Sequence, residues 1–377
     1  MKAKDAVLIH SSELDNFHYP ENCPFKTERA GSTRNILHTS GELFFHEEAP
    51  RTATEEELLS FHTDSYLSIL RRVSEGTFLP DDLFAGLGTH DCPVFPDLYQ
   101  YAILASGGTI RAAEILLRNE AHYCFNPSGG FHHAYADKAG GFCYINDVVL
   151  AAIVLRNNGK RVFCLDLDAH HGNGTQAAFF NDASVFTVSM HESGKTLFPW
   201  KGFEKELGEG EGYGYNCNIP LPAGTDDDAF NHTFKALIPA LMEAYGPDVI
   251  LLEVGMDILS VDPLTHLSMT NNAIADILPL IRNTGLPVLM VGGGGYNPVA
   301  TSRGWALAWQ VLCDKEVTND LTIGMGGMFL GNAEWDGGLR DMRNYTHHED
   351  KKEIVDQLGK TVDYIRKTVF PLHNIKR

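Results

Sequence analysis

Asp166-Leu167-Asp168-Ala169-His170-His171-Gly172-Asn173 comes directly after Arg161-Val162-Phe163-Cys164-Leu165, an apolar run of strand character. Five Asp, His and Asn side chains crowd into those eight residues. In an extended segment residues two apart point the same way, so Asp166, Asp168 and His170 are expected on one face. Imidazole and carboxylate suit borderline metals such as zinc, and a catalytic centre uses three protein ligands with one position left open. Asp168 and His170 supply two such ligands. The third has to come from elsewhere in the chain.

On either side of this run, strands alternate with helices. Asp147 to Asn158 is an apolar-rich helix closed by Gly159. Asp226 to Tyr245 carries Phe230, Phe234, Leu237, Ile238 and Leu241 at helical spacing, with three aspartates at its start and Gly246-Pro247 at its end. Acids suit the positive helix N-terminus, and the Gly-Pro pair stops the helix. Asp248 to Val254, Val288 to Val291, Ser184 to Met190 and His122 to Phe125 read as further strands, and the residues up to His10 as a first one. Near-continuous apolar strands separated by helices imply an α/β fold with a parallel sheet covered on both faces. Ile354, Leu358, Val362, Ile365 and Val369 form a stripe that predicts a packing helix over about 350–370. Residues 1–377 are read as one large catalytic domain carrying that helix at its end.

The strand ends are more informative than the strands. Asn126-Pro-Ser-Gly-Gly-Phe-His132-His133, His191-Glu-Ser-Gly, Gly255-Met-Asp257 and Gly292-Gly-Gly-Gly-Tyr296 all stand there, as does the acidic-His run. Ligands of open α/β sheets bind outside the carboxyl ends of the strands. Five polar strand ends are therefore expected in one crevice, with Asp257 as the third metal ligand. Each piece alone has a plainer reading. An Asp after a strand is commonly a helix cap, paired histidines are often surface or core residues, and four glycines lack the spacing of a dinucleotide fingerprint. Cys143 and Cys164 sit in apolar surroundings and read as small core residues. The joint occurrence at strand ends favours a metal hydrolase.

Composition narrows the classes. The 377 residues are 44 % hydrophobic, with 36 glycines and a formal net charge of −19. That charge argues against nucleic acid, which needs a basic footprint, and suits a cationic partner such as a lysine-bearing peptide. Seven cysteines without framework spacing fit a reducing cytoplasm. Nothing reads as a membrane span or secretory signal.

From about Phe17 to Cys313 the chain resembles the zinc-dependent histone deacetylase superfamily. The motifs are His18-Tyr-Pro with Arg29, Glu56-Glu-Leu-Leu-Ser-Phe-His62-Thr, Gly88-Thr-His-Asp91-Cys-Pro, Gly129-Gly-Phe-His132-His133, Gly141-Phe142-Cys-Tyr-Ile-Asn-Asp147, the acidic-His run, Phe198-Pro and Gly292 to Asn297. Gly86-Leu-Gly-Thr and Asp262-Pro-Leu264-Thr-His-Leu-Ser are similar to the bacterial acetoin-utilisation branch.

The resemblance implies Zn²⁺ on Asp168, His170 and Asp257, with Fe²⁺ not excluded by that donor set. It implies His133 as general base, His132 as an electrostatic neighbour oriented by Asp166, and Tyr296 as oxyanion donor. Phe142, Phe198 and Leu264 are implied as walls of an acyl-lysine channel, Gly141 as a close approach to the lysine stem, and Asp91 as a rim carboxylate. A structural potassium site is implied on Asp166, Asp168, His170, Ser189 and Met190, and a second near Phe179, Asp182, Val185 and Tyr215. Arg29 is implied beside an internal cavity for acetate exit. Asn173 stands where some members carry Asp as the partner of His133, and it is expected to leave that histidine less basic. The implied reaction is removal of acetyl or other short acyl groups from lysine in a protein or peptide, with acetylated acyl-CoA synthetase a candidate partner in the acetoin-utilisation branch. Acetylated polyamines and other small amides remain alternatives. A binuclear manganese ureohydrolase is disfavoured by a shortage of carboxylates near Asp257, and a dead binding module by the complete set of reactive residues.

Overall fold

The computed structural model describes residues 5–40, 43–316, 338–344 and 348–376. Eight parallel strands form one sheet: β1 Ala6–Ile9, β2 His46–Glu48, β3 Tyr123–Asn126, β4 Val162–Asp166, β5 Val185–Glu192, β6 Asn216–Leu221, β7 Val249–Glu253 and β8 Val288–Val291. Their spatial order is β2-β1-β3-β8-β7-β4-β5-β6. The connecting α-helices are α1 Ser12–Asp15, α2 Arg29–Thr39, α3 Glu55–Leu59, α4 Asp64–Ser74, α5 Leu98–Leu117, α6 Asp147–Asn157, α7 Asn173–Phe179, α8 Asp227–Tyr245, α9 Asn272–Arg282, α10 Pro298–Leu312 and α11 His348–Thr368.

Strand alternation sends successive side chains to opposite faces. Phe163 and Leu165 of β4 join one core with Phe230, Phe234 and Leu237 of α8, Ile277 of α9, Trp305 and Trp309 of α10, and Ile354 and Leu358 of α11. Val162 and Cys164 of the same strand join another with Ile115 of α5, Val148 and Ala152 of α6 and Phe179 of α7. A helix layer on each face explains why the strands read as continuous apolar runs. Full burial of each large apolar side chain contributes about 1.5–3 kcal/mol. A third cluster, including Tyr66, Tyr101, Phe131, Phe142 and Tyr144, packs the loops above the strand ends.

The helix expected from Asp226 begins at Asp227, because Asp226 is its cap and accepts the Ala229 N–H at 3.0 Å. Gly246, at φ 62°, ends it in the left-handed conformation that glycine adopts without strain. The C-terminal stripe lies on α11, with Val369 just beyond its end. Two strands lack the continuous apolar run of the others. β2 is His-Glu-Glu, and β6 alternates Asn, Cys, Asn, Ile with Pro220 inside it. Both are sheet edges, where a proline costs no ladder bond. All seven cysteines are buried and free. Among the described residues, no helix is long and apolar enough to cross a membrane.

Candidate metal and catalytic site

The four adjacent strands β3, β8, β7 and β4 end on one side of the sheet and lead into His132-His133, Tyr296, Asp257 and Asp168-His170. β4 stops at Asp166, so the expected strand face carrying Asp166, Asp168 and His170 does not exist. Side-chain turns replace it. Asp166 Oδ1 accepts the Asp168 N–H at 3.0 Å, and Asp168 Oδ1 accepts the His170 N–H at 2.9 Å. Each short carboxylate thereby fixes the backbone two residues on.

His170 Nδ1 lies 2.8 Å from Asp257 Oδ2 and 3.3 Å from Asp168 Oδ1. All three residues are buried, and their ligand atoms fall within 4.8 Å of one another, which suits a metal ion. Burial opposes a charge on His170, but the two carboxylates outweigh it and hold a proton on the ring up to about 10. Burial and Asp168 push the Asp257 carboxyl up to about 7. Such a centre favours a cation, and the backbone closes tightly around its carboxylates. A Cβ on Gly255 would overlap the Asp168 carboxylate, and one on Gly294 would overlap that of Asp257. The Gly294 N–H donates to Asp168 Oδ2 at 2.6 Å.

Beside this cluster the two histidine rings meet, Nε2 to Nε2, at 3.2 Å. Asp147, at the start of α6, holds their loop by accepting the Gly130 and Phe131 N–H groups at 3.0 and 2.7 Å. His132 Nδ1 is 2.8 Å from Asp166 Oδ2, as expected, and 3.0 Å from Glu253 Oε1, which was not expected. His133 Nδ1 is 2.7 Å from Asn173 Oδ1, while the Asn173 amide nitrogen donates to the Tyr135 hydroxyl at 3.1 Å. With the amide oxygen thus facing His133, Nδ1 carries the hydrogen and Nε2 keeps its lone pair. Burial, then the neighbouring His132 and His170, push His133 well below the usual imidazole range. Burial also opposes charge on His132, but Asp166 and Asp168 reverse the balance and raise it.

Tyr296 hangs on a braced glycine run. Asp262 accepts the Tyr296 N–H at 2.7 Å and the Leu264 N–H at 2.9 Å, so one carboxylate fixes both backbones. From the other side Arg29 donates to the Gly293 and Gly295 carbonyls at 3.2 and 2.8 Å. Its guanidinium is stacked 4.4 Å from the Phe25 ring and 4.9 Å from that of Trp305. Burial, then Asp257 and Asp168, raise the Tyr296 phenol, which keeps it a neutral donor.

The pattern of a histone deacetylase domain matches residues 23–312. This chain belongs to the histone deacetylase family. It is 34 % identical over 329 residues to histone deacetylase 9 of Arabidopsis thaliana, covering 85 % of this chain and 76 % of that one. It is 34 % identical over 331 residues to histone deacetylase 1 of Homo sapiens, covering 84 % of this chain and 66 % of the human protein. The crystal structure of a histone deacetylase homologue from Aquifex aeolicus superposes with a TM-score of 0.83 at 33 % identity, covering 95 % of this chain and all of that one. A homologue structure in complex with SAHA also scores 0.83, at 32 % identity.

The residues expected to stand around a channel are close to the histidines. The Phe142 ring packs 5.5 Å from Tyr296, and the Phe198 ring 5.1 Å from His133. Leu264 is half-buried against the same cluster as Phe142 and Tyr296. The Tyr19 hydroxyl donates to the Phe142 carbonyl at 2.9 Å and steadies that wall. Gly141 was expected to admit a lysine stem, but the neighbour that a Cβ there would strike is the His133 ring. Asp91 accepts from Gly141 N–H at 3.2 Å and from the Thr89 hydroxyl at 2.9 Å. Each of its oxygens keeps acceptor capacity.

Ser189 stands opposite Asp166 in the β4–β5 register. Its Oγ lies 2.8 Å from His191 Nδ1, whose Nε2 lies 2.8 Å from the Gly202 carbonyl. Nε2 must therefore carry the hydrogen, Ser189 donates to Nδ1, and the Ser189 lone pairs stay open. Met190 is buried beside it on β5. At the second expected potassium position, Asp182 pairs with Arg156 at 2.6 Å, and the Phe179 and Tyr215 carbonyls accept Asp182 and Thr187 N–H groups at 3.0 Å each. Val185 opens β5 nearby.

The end of β5 does not join the crevice. His191 is fully buried, its ring 4.7 Å from that of His171. Glu253 was missed, and with it the expected shortage of carboxylates near Asp257 is relieved. The signal was a lone acid ending Val-Ile-Leu-Leu-Glu, a run otherwise suited to a strand buried on both faces.

Proposed function

We propose that this chain is a zinc-dependent amidohydrolase that removes acetyl or other short acyl groups from the side-chain amine of lysine in proteins or peptides. The observation that carries this reading is His133, its Nδ1 2.7 Å from Asn173 Oδ1, beside the buried Asp168–His170–Asp257 cluster. Zinc on those three residues would supply Lewis-acid polarisation of the amide carbonyl and a water acidified from a pKa near 16 toward roughly 7; the same donors accept Fe²⁺.

His133 Nε2 takes a proton from the attacking water as its oxygen bonds to the acyl carbon. The same nitrogen returns the proton to the lysine nitrogen as the C–N bond breaks, leaving a free amine and a carboxylic acid. The acid gives its remaining proton to that amine as the products become carboxylate and ammonium. His132, held by Asp166, sits beside the transferring proton. The Tyr296 hydroxyl donates to the oxyanion, an interaction of about 3 kcal/mol in comparable sites. Phe142, Phe198 and Leu264 exclude water from an extended lysine stem, with Gly141 shaping the wall, and Asp91 accepts from substrate backbone N–H groups. Arg29 lies beside the route by which acetate leaves.

Potassium on Asp166, Ser189 and the backbone oxygens of Asp168, His170 and Met190 would add positive charge near these histidines. The open lone pairs of Ser189 support it. The acetoin-utilisation branch, and with it acetylated acyl-CoA synthetase in the cytoplasm, is the physiological setting we favour. Acetyl-lysine and longer acyl-lysine peptides assayed beside acetylspermidine test the substrate class. A preference for acetyl-lysine peptide supports the proposal, and exclusive turnover of the polyamine contradicts it.

A further inference from the structure

Glu253 closes β7 directly opposite Asp166 of β4, so the register sends both side chains to the same place. It is 1 % exposed, and neither of its carboxylate oxygens takes a well-aligned hydrogen bond. The neighbour it touches is the His132 ring, with Nδ1 3.0 Å from Oε1. The other charged groups acting on it are Asp166, Asp168, Asp147 and Asp257, all acidic. Burial and those acids push the Glu253 carboxyl well above the usual carboxylate range, and the His132 Nδ1–H, which Asp166 accepts at 2.8 Å, is the donor within reach.

We propose that Glu253 is a positioning residue for the deacylation proposed above, its carboxyl packed against His132 Nδ1 off the axis of the hydrogen bond to Asp166, so that the two together aim the ring's Nε2 at His133. The reading rests on that reaction. One acceptor leaves a ring free to rock about its hydrogen bond, whereas the Asp166 acceptor at 2.8 Å and the Glu253 oxygen in contact at 3.0 Å, on strands in fixed register, restrict its plane. The ring then keeps Nε2 3.2 Å from His133 Nε2. Gly293 covers the arrangement from above, since a Cβ there would lie 3.2 Å from Glu253 Oε1 and 2.8 Å from Asp168 Oδ2. His132, Asp168 and Glu253 also bring ligand atoms within 4.8 Å, so a second cation is the competing occupant.

The test uses the full-length, metal-loaded chain with Glu253→Gln, which keeps the packing, and Asp166→Asn for comparison. Metal per chain is counted by elemental mass spectrometry, kcat and KM are measured on an acetyl-lysine peptide, and the His132 Nδ1–H resonance is followed in protein labelled with ¹⁵N-histidine. Glu253→Gln is expected to keep one divalent ion per chain and an unchanged KM, to lower kcat roughly ten-fold, and to shift that resonance upfield, as Asp166→Asn does. An unmoved resonance with wild-type kcat overturns the proposal. So do two divalent ions in the wild type falling to one in Glu253→Gln, which would make Glu253 a ligand. If the wild type turns over no amide, the deacylase reading fails while the resonance alone still decides whether Glu253 holds the ring.

Discussion

His133 Nδ1 lies 2.7 Å from Asn173 Oδ1, and that amide in turn donates to the Tyr135 hydroxyl at 3.1 Å. The partner is neutral, so it stabilises an imidazolium less than a carboxylate would. Together with burial, this leaves His133 well below the ordinary imidazole range and free to accept a proton at neutral pH.

Asn173→Asp places a carboxylate against Nδ1 and raises the His133 pKa, since a nearby opposite charge favours the protonated form. The protonated base is inactive, so the acid limb of the kcat/KM profile should move to higher pH, by about one unit or more. A pH–rate profile of both proteins checks this. An unchanged acid limb would show that another group sets it.

Tyr296→Phe removes one hydroxyl and leaves Asp262 its hold on the backbone N–H at 2.7 Å. The expected result is a fall in kcat of about 10²-fold or more with metal content intact. Steady-state kinetics with parallel metal analysis decides it, and wild-type kcat would remove Tyr296 from the mechanism.

Gly294→Ala changes no ligand, yet its Cβ overlaps the Asp257 carboxylate. Metal affinity should fall by about ten-fold or more, on the order seen when a supporting group of a metal site is disturbed. Competition with a chelator measures it. Wild-type affinity would show that the loop yields at no cost.

His62 is buried with its Nε2 accepting the Asn146 N–H at 3.1 Å, and burial pushes its pKa down to about 4. The unfolded chain binds that proton near pH 6.5. Stability is therefore full above about 6.5 and declines as pH falls toward 4, by about 3 kcal/mol from this group. His62→Gln, compared by urea unfolding across that window, should lose about one proton's worth of slope. An unaltered slope would assign the acid sensitivity elsewhere.

Much of this was legible in the sequence because the fold's central strands are buried on both faces and announce themselves as apolar runs. Asp168, His170, Asp257, His132, His133 and Tyr296 stood out because polar clusters interrupt those runs at their ends. The edge strands were silent for the opposite reason: His46–Glu48 has no apolar residue, and Asn216–Leu221 contains a proline. The expected common face of Asp166, Asp168 and His170 failed because two side-chain turns end the strand one residue after Leu165. Asp262 and Glu253 went unread because their roles depend on partners 34 and 121 residues away in sequence, which only the assembled sheet brings near.

Zinc titration of the metal-free protein against release of free lysine amine from an acetyl-lysine peptide, with Asp257→Ala alongside, is the decisive measurement. Activity that rises linearly and plateaus at one zinc per chain, and is absent in Asp257→Ala together with tight metal binding, is the predicted result. Full metal retention by Asp257→Ala, or a wild type that binds zinc and cleaves no amide, would contradict it.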